Sequence, residues 1–141
     1  MTDRAEIVVE IDDETFPARF ETALAPKTVA AIAGILPYEE RIIHVRWSGE
    51  ACWIPLGDQD FGLPYENATS HPAPGQFILY PGGVSETEIL FAYGPCAFAS
   101  KAGQLAGNPF LTITDRLDVL AALGRGTLRT GAKAIRISSI G

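Results

Sequence analysis

The sequence has little of what disulfide or metal cross-links require. Its 141 residues include only two cysteines, Cys52 and Cys96, and two histidines. Two cysteines do not make a disulfide framework, and a chain of this length can bury a core without one. No CxxC or Cys/His spacing of a zinc site is present. We therefore expect reduced thiols, no metal and no cofactor.

Basic charge and long apolar runs are also scarce. Eleven lysines and arginines face seventeen acidic residues, for a formal net charge of −6. A surface that follows nucleic-acid phosphates needs clustered basic residues, and here they are scattered. No apolar run is long enough to cross a bilayer, and residues 1–13 carry acids where a signal peptide needs an apolar stretch. These features predict a cytoplasmic protein with no nucleic-acid or membrane partner.

Turn-forming residues and short apolar alternations are what the sequence does contain. Fourteen glycines and ten prolines punctuate the chain and favour short strands over long helices. The pattern predicts a single domain, residues 1–141, with about eight strands at the spacing of an all-β barrel. The predicted strands span residues 6–11, 14–20, 41–47, 51–56, 76–80, 87–93, 110–114 and 133–138.

Two short helices complete the prediction. The first begins at Pro26, which is tolerated at the first helical position, and stops before Pro37. The second has Asp115 as a plausible N-cap and ends at Gly124. Both carry an apolar stripe at helical spacing, so we expect each to cover an open end of the barrel.

Several motifs, in order along the chain, resemble those of the cyclophilins. They are APKTVAAIAGIL (25–36), Glu66-Asn67, His71, Pro74-Gly75, LAGNPFLTI (105–113) and RLDVLAALGRG (116–126). The segments WSGEACWIPL, PYENATS, YPGG, SETEILFAYG and SKAGQLAGN resemble more closely a bacterial group of compact cyclophilin-like proteins of unknown function, the DUF3830 type. The resemblance runs from Glu6 to the C-terminus. It implies a closed eight-stranded cyclophilin-like barrel with two short capping helices and a surface groove, and no established reaction.

The residue that cyclophilins use for prolyl isomerisation is not where the resemblance would place it. The X–Pro barrier of about 18–20 kcal/mol comes from amide resonance, and a cation near the proline nitrogen helps to break it. In cyclophilins that cation is an arginine, and its position falls on Trp47 here, one residue after Arg46. Side chains alternate along a strand, so Arg46 should point to the opposite face unless a bulge shifts the register. Conventional isomerase activity is therefore not expected.

Other groove positions differ from cyclophilins as well. Trp53 lies in the segment that replaces a Phe-Met pair, and Tyr80 in the segment that replaces Ala-Asn. Glu88 takes the place of a neutral amide, Leu90 of a phenylalanine and Gln104 of a tryptophan. The resemblance thus implies a groove that is narrower, more aromatic and more acidic than a peptide cleft.

These residues define a hypothetical small-molecule pocket. Glu88 is the candidate acid or base, because a carboxylate among apolar neighbours has either a raised pKa or an ion-pair partner. Tyr93 is its candidate catalytic partner. The predicted ligand-binding residues are Trp47, Trp53, Tyr80, Leu90, Lys101 and Gln104. Simpler alternatives stay open: the tryptophans form barrel core, the tyrosine hydroxyls satisfy backbone groups, and Glu88 forms an ion pair with Arg46, Lys101 or an arginine near the C-terminus.

Three functions are compatible with these patterns. The first is binding, with or without transformation, of a small polar metabolite in the rebuilt groove. The second is weak peptidyl-prolyl isomerase activity or peptide binding. The third is a non-catalytic interaction subunit, in which an exposed barrel edge forms a homo-oligomer.

Overall fold

A computed structural model describes residues 6–140, which form a closed antiparallel barrel of eight strands with two helices and a small separate ribbon. Around the barrel the strands follow the order β1-β10-β3-β4-β6-β5-β9-β2, and β7 and β8 form the ribbon. The strands are β1 (Glu6–Ile11), β2 (Glu14–Phe20), β3 (Tyr38–His44), β4 (Gly49–Pro55), β5 (Gln76–Tyr80), β6 (Glu88–Cys96), β7 (Ala99–Ser100), β8 (Gly103–Gln104), β9 (Asn108–Ile113) and β10 (Lys133–Ile140). The helices are α1 (Pro26–Ala33) and α2 (Leu117–Thr130). The predicted fold class is confirmed.

Alternating side chains fill the barrel interior. On β1 the apolar residues Ile7, Val9 and Ile11 are buried, and Val9 lies opposite Phe16 in the predicted β1–β2 hairpin. Aromatic rings from neighbouring strands meet in the centre, where Phe77 stacks on Phe91 with ring centroids 4.8 Å apart. A closed barrel has no unpaired edge strand, so this architecture does not offer the exposed barrel edge expected for oligomerisation.

A second apolar cluster lies on the outer face of the barrel. Along β5, Phe77 and Leu79 belong to the interior core, whereas the alternate residues Ile78 and Tyr80 face outward. Residues of β4, β6 and the segment around Phe98 complete this outer cluster. The irregular segment 97–107 therefore covers one side of the barrel and leaves a groove beside it.

Glu66 caps helix α1 from a distant part of the chain. Ala25, at the N-cap position, supplies no side-chain hydrogen bond. Glu66 instead accepts the backbone N–H groups of Lys27 at 3.0 Å and Thr28 at 2.8 Å, and the Thr28 hydroxyl at 2.7 Å. Buried Asn108 accepts the Glu66 N–H through its side-chain oxygen at 2.8 Å. Asn67, the second residue of the Glu-Asn motif, donates to the Leu24 carbonyl at 2.9 Å, so the motif holds the long loop against the start of the helix.

Removing this cap should destabilise the fold. We expect Glu66→Ala to lower the free energy of unfolding by about 1–2 kcal/mol, because the first-turn N–H groups lose their acceptor. Urea unfolding near neutral pH measures the loss. Glu40→Ala, which removes an exposed acid with no hydrogen bond among the described side chains, is the control and should change stability little.

The same cap should weaken in acid. Burial raises the pKa of Glu66, but the hydrogen bonds from Thr28 and the Lys27 N–H and the charge of Lys27 outweigh burial, so the pKa is lowered overall. A lowered carboxyl pKa contributes stability above its ordinary value that is lost as pH falls through the folded-state pKa. The difference between wild type and Glu66→Ala should therefore shrink on acidification, and a constant difference would contradict the capping role.

Helix α2 differs from the prediction at both ends. It begins at Leu117, after Arg116 in a left-handed conformation, and no side-chain cap hydrogen bond forms. It continues through Gly124 to Thr130, so the predicted cap at Asp115 and the predicted stop at Gly124 are wrong. Gly124 is a contact point, because a Cβ there would lie 2.8 Å from Tyr93 Cε2. Close packing, and not helix termination, accounts for this glycine.

Strand β3 is also displaced from its predicted position. It spans Tyr38–His44, whereas the pattern predicted 41–47, so Trp47 lies beyond its end. The pairing of β4 with β6 shifts register between Gly49 and Ala51. Within residues 6–140, neither helix is long and apolar enough to cross a membrane.

Candidate functional site

A cavity of about 400 Å³ opens on the outer face of the barrel, beside the second apolar cluster. Its walls come from the end of β3, the corner that follows it, β4, the turn before β6, and the residues at β7. The lining residues are Ile43, His44, Val45, Arg46, Trp47, Ser48, Trp53, Ser85, Glu86, Glu88, Ala99, Ser100 and Lys101. Its size is within the range of small-molecule sites.

Aromatic and aliphatic side chains form the floor of the cavity. Trp53 on β4 lies opposite Ile43 on β3 and opposite Leu90 on β6. Leu90 is fully buried beneath it, whereas Trp47 is 55% exposed at the mouth. Neither tryptophan is in the barrel interior, so the barrel-core alternative does not describe their positions.

Glu88 is a buried acid with access to this cavity. It begins β6 opposite Tyr80 and Pro55, and it is 7% exposed. Among residues 6–140, no side-chain hydrogen bond or ion pair involves its carboxyl group, so the alternative of an ion pair with Arg46, Lys101 or an arginine near the C-terminus is not found. Burial, with a smaller contribution from the charge of Glu86, raises the pKa of Glu88 to about 8.

Tyr80 positions the turn that carries two lining residues. Its hydroxyl oxygen accepts the N–H groups of Val84 at 2.9 Å and Ser85 at 3.2 Å. Its ring is buried and packs edge-on against Phe98, with centroids 5.8 Å apart. Tyr80 therefore lies beneath the cavity and orders the segment that brings Ser85 and Glu86 to its wall.

The corner after β3 brings Arg46 and Trp47 to the same cavity. Residues 45–48 are not in strand conformation, although the Val45 N–H still donates to the Ala51 carbonyl at 3.1 Å. Strand alternation therefore does not apply, and Arg46 and Trp47 both line the cavity. The expectation that Arg46 points to the opposite face from Trp47 depended on regular strand alternation, which does not hold at this corner.

Ser48 links this corner by hydrogen bonds to the segment that contains β7. Its hydroxyl donates to the Ala99 carbonyl at 3.1 Å and accepts the Ala99 N–H at 3.0 Å. Its carbonyl oxygen also accepts the Ala97 N–H at 2.9 Å. These bonds hold the segment that presents Ser100 and Lys101 to the cavity.

Tyr93 supports the corner from the barrel interior. It lies five residues after Glu88 on β6, and the odd spacing places it on the opposite face, in the interior core. Its hydroxyl is 2.7 Å from His44 Nε2, and His44 Nδ1 is 2.8 Å from the Val45 carbonyl oxygen. A carbonyl can only accept, so Nδ1 carries the hydrogen and Nε2 accepts from Tyr93. Because Tyr93 and Glu88 lie on opposite faces of β6 and Tyr93 is not among the lining residues, the expected catalytic pair does not share the cavity.

Comparison with known proteins identifies the family. The model of the family described as "Protein of unknown function (DUF3830)" matches residues 7–139. The chain belongs to this family. A search of curated proteins finds no match to the sequence.

One solved structure with a similar fold is described as "Structure of McbB in complex with tryptophan". The alignment has a TM-score of 0.73 and 18% sequence identity, and it covers 96% of this chain. The chain spans 45% of the McbB chain, so it corresponds to less than half of that protein. At this identity the likeness supports the barrel fold shared by this DUF3830 member and McbB.

The predicted site residues separate into four groups in this DUF3830 fold. Glu88, Trp47, Trp53 and Lys101 line the cavity together. Tyr80 and Leu90 lie beneath it, and Tyr93 lies on the far face of β6. Gln104 is exposed on the β7–β8 ribbon and is not among the lining residues. Their roles in a function stay predictions.

Sequence reasoning missed several lining residues. They are Ile43, His44, Val45, Ser48, Ser85, Glu86, Ala99 and Ser100, and Arg46 was assigned to the opposite face. The turn after Tyr80 was a usable signal for Ser85 and Glu86, since it directly precedes the strand that carries Glu88. The contribution of Ser48 has no local signal, because it depends on hydrogen bonds to a segment about fifty residues away.

Proposed function

We propose that this protein binds a small molecule with polar and apolar parts in the cavity around Glu88. One observation carries the proposal: a buried carboxyl group without an ion-pair partner among the described residues opens onto a cavity with tryptophan in its walls. Burying an unpaired ionisable group costs stability, and such groups cluster at functional sites. A ligand that binds the carboxyl group would offset this cost.

The pKa of Glu88 suits proton transfer. With a pKa raised to about 8, the carboxyl group holds its proton at neutral pH and still releases it readily. A group of this kind can act as a general acid or base near neutral pH. If the cavity supports a reaction, we propose Glu88 as the group that moves the proton. The description of McbB as a tryptophan complex supports small-molecule binding on a similar barrel.

Ligand binding is expected to depend on Trp47. Both tryptophans of the chain line the cavity, so intrinsic fluorescence reports directly on its occupancy. In a screen of small acids, amines and amino acids, we expect at least one compound to change this fluorescence saturably and to raise the melting temperature. Trp47→Ala should weaken that binding about tenfold, close to 1.4 kcal/mol, by removing a stacking wall.

A matched variant separates binding from general surface effects. Leu128 is 64% exposed on α2 and is not among the lining residues, so Leu128→Ala should bind the same compound with unchanged affinity. Trp47 is exposed enough that its removal should leave the unfolding temperature of the free protein nearly unchanged. A screen in which no compound binds would refute the proposal and favour a non-catalytic interaction subunit.

A prolyl isomerase is a second candidate, because Arg46 reaches the cavity after all. Its guanidinium could approach a proline nitrogen from the corner that follows β3. A proline-peptide isomerisation assay on wild type and Arg46→Ala tests this directly. Activity in wild type that the variant loses would favour the isomerase, and activity in neither would leave the small-molecule site as the better account.

A further inference from the structure

We infer that the cavity takes a zwitterionic ligand, with its ammonium group at the Glu88 wall and its carboxylate at the wall that carries Arg46 and Lys101. The inference rests on the proposed function and specifies its ligand class. It follows from the separate placement of the two signs of charge around one cavity.

The acidic wall comes from the turn between β5 and β6. It carries Glu88, a residue that is 7% exposed, and Glu86, which is exposed. Tyr80 holds this turn in place through the N–H groups of Val84 and Ser85. This ordered turn therefore presents one buried and one exposed acid, which together form a preformed site for a cation.

The basic wall comes from two segments that Ser48 ties together. Arg46 lies on the corner after β3, and Lys101 follows β7. The two Ser48–Ala99 hydrogen bonds join these segments, so the two cations belong to one side of the cavity. A guanidinium and an ammonium group at the mouth suit a carboxylate.

The two walls do not neutralise each other. Among residues 6–140, no side-chain nitrogen of Arg46 or Lys101 lies within 4.0 Å of a carboxylate oxygen of Glu86 or Glu88. Trp53, the β3 residue Ile43 and Val45, which follows β3, form the apolar surface of the same cavity. A ligand with opposite charges at its polar end and an apolar side chain would pair with both walls and cover this surface.

An ammonium group suits Glu88 better than a neutral donor. A cation beside a buried carboxylate favours the charged form, so it lowers a pKa that burial has raised. Glu88 would then release its proton as the cationic ligand binds, and the paired charges would replace a protonated acid. A carboxylate placed there would gain no such charge pairing and would instead lie beside the negative charge of Glu86.

Three compounds with the same ring test the inference. Phenylalanine carries both charges, phenethylamine only the ammonium group and 3-phenylpropanoate only the carboxylate. Fluorescence titration of the two tryptophans gives each affinity without interference from the weakly emitting phenyl group. We expect phenylalanine to bind most tightly, 3-phenylpropanoate at least about tenfold more weakly, and phenethylamine between them.

Two variants assign each charge to its wall. In Glu88→Gln, phenylalanine should lose most of its advantage over 3-phenylpropanoate. In Lys101→Met, phenylalanine should lose its advantage over phenethylamine but keep it over 3-phenylpropanoate. Glu40→Gln, an exposed acid outside the cavity, should leave the order of all three compounds unchanged.

Distinct outcomes overturn the inference and the proposed function. If 3-phenylpropanoate binds as tightly as phenylalanine, or if none of the three binds while another compound in the screen does, the zwitterion inference is wrong and the small-molecule site stands. If the order of affinities survives Glu88→Gln, the ammonium group binds elsewhere and the inference is also wrong. If the entire screen shows no binding, both fail.

Discussion

Replacing Glu88 by glutamine is expected to stabilise the protein strongly at mildly alkaline pH and hardly at all in acid. The folded-state pKa of Glu88 is about 8, against an ordinary value of 4.5, so folding favours the protonated carboxyl group. A raised carboxyl pKa gives its full stability below the unfolded value and loses it as pH rises through the folded value. As the pH rises from the unfolded-state pKa to the folded-state pKa, ionisation of Glu88 should lower the free energy of unfolding of the wild-type protein by roughly 3–5 kcal/mol.

Glutamine keeps the shape of the protonated acid but cannot ionise. The stability advantage of Glu88→Gln should therefore be small near pH 4.5 and grow towards pH 8, where it should raise the melting temperature by roughly 10 °C. Urea unfolding of both proteins at several pH values measures this difference. Because all other groups titrate equally in the two proteins, their contributions cancel when the two free energies are subtracted.

A second acid provides the control for this titration. Glu40 is exposed, so the stability of Glu40→Gln relative to wild type should not vary with pH in the same range. If the difference in unfolding free energy between Glu88→Gln and wild type does not change from acid to alkaline pH, Glu88 is solvated or paired. It would also remove the main support for the proposed site.

Substituting Gly124 by alanine should destabilise the protein, although alanine is the better helix former. Gly124 lies inside α2, where glycine costs about 1 kcal/mol relative to alanine. A Cβ at this position would lie 2.8 Å from both Cε2 and Cγ of Tyr93, closer than real carbon contacts allow. Either the helix or the ring must move, and we expect a net loss of about 1–3 kcal/mol in the free energy of unfolding.

The same helix contains a matched control. Gly126 lies two residues further on, and the nearest atom to a Cβ there is Lys133 Cε at 3.9 Å. Gly126→Ala should therefore stabilise the protein by about 0.5–1 kcal/mol. Chemical unfolding of the two variants should give effects of opposite sign, and equal effects would show that Tyr93 does not constrain α2.

Local patterns in the sequence predicted much of the barrel. The alternation of Ile7, Val9 and Ile11 placed β1, and the apolar run of β5 was predicted at its observed bounds, 76–80. Side chains alternate between the two faces of a strand, so each strand could be predicted from its own residues alone. The position of Glu88 among apolar residues likewise identified it as a buried acid before its surroundings were known.

Other features depended on contacts between distant segments. The corner at 45–48 breaks the strand alternation, and so Arg46 reaches the cavity beside Trp47. From the local sequence, Gly124 was predicted to end a helix. In the fold it is the point where α2 contacts the ring of Tyr93.

The sequence by itself therefore determined the fold class, the family and the buried position of Glu88, because short-range periodicity and local motifs encode them. Only the tertiary structure decided which side chains share the cavity. Its walls come from the corner after β3, β4, the turn before β6 and the segment at β7, joined by the hydrogen bonds between Ser48 and Ala99, 51 residues apart, and by strand register. Local propensity carries no information about such long-range contacts.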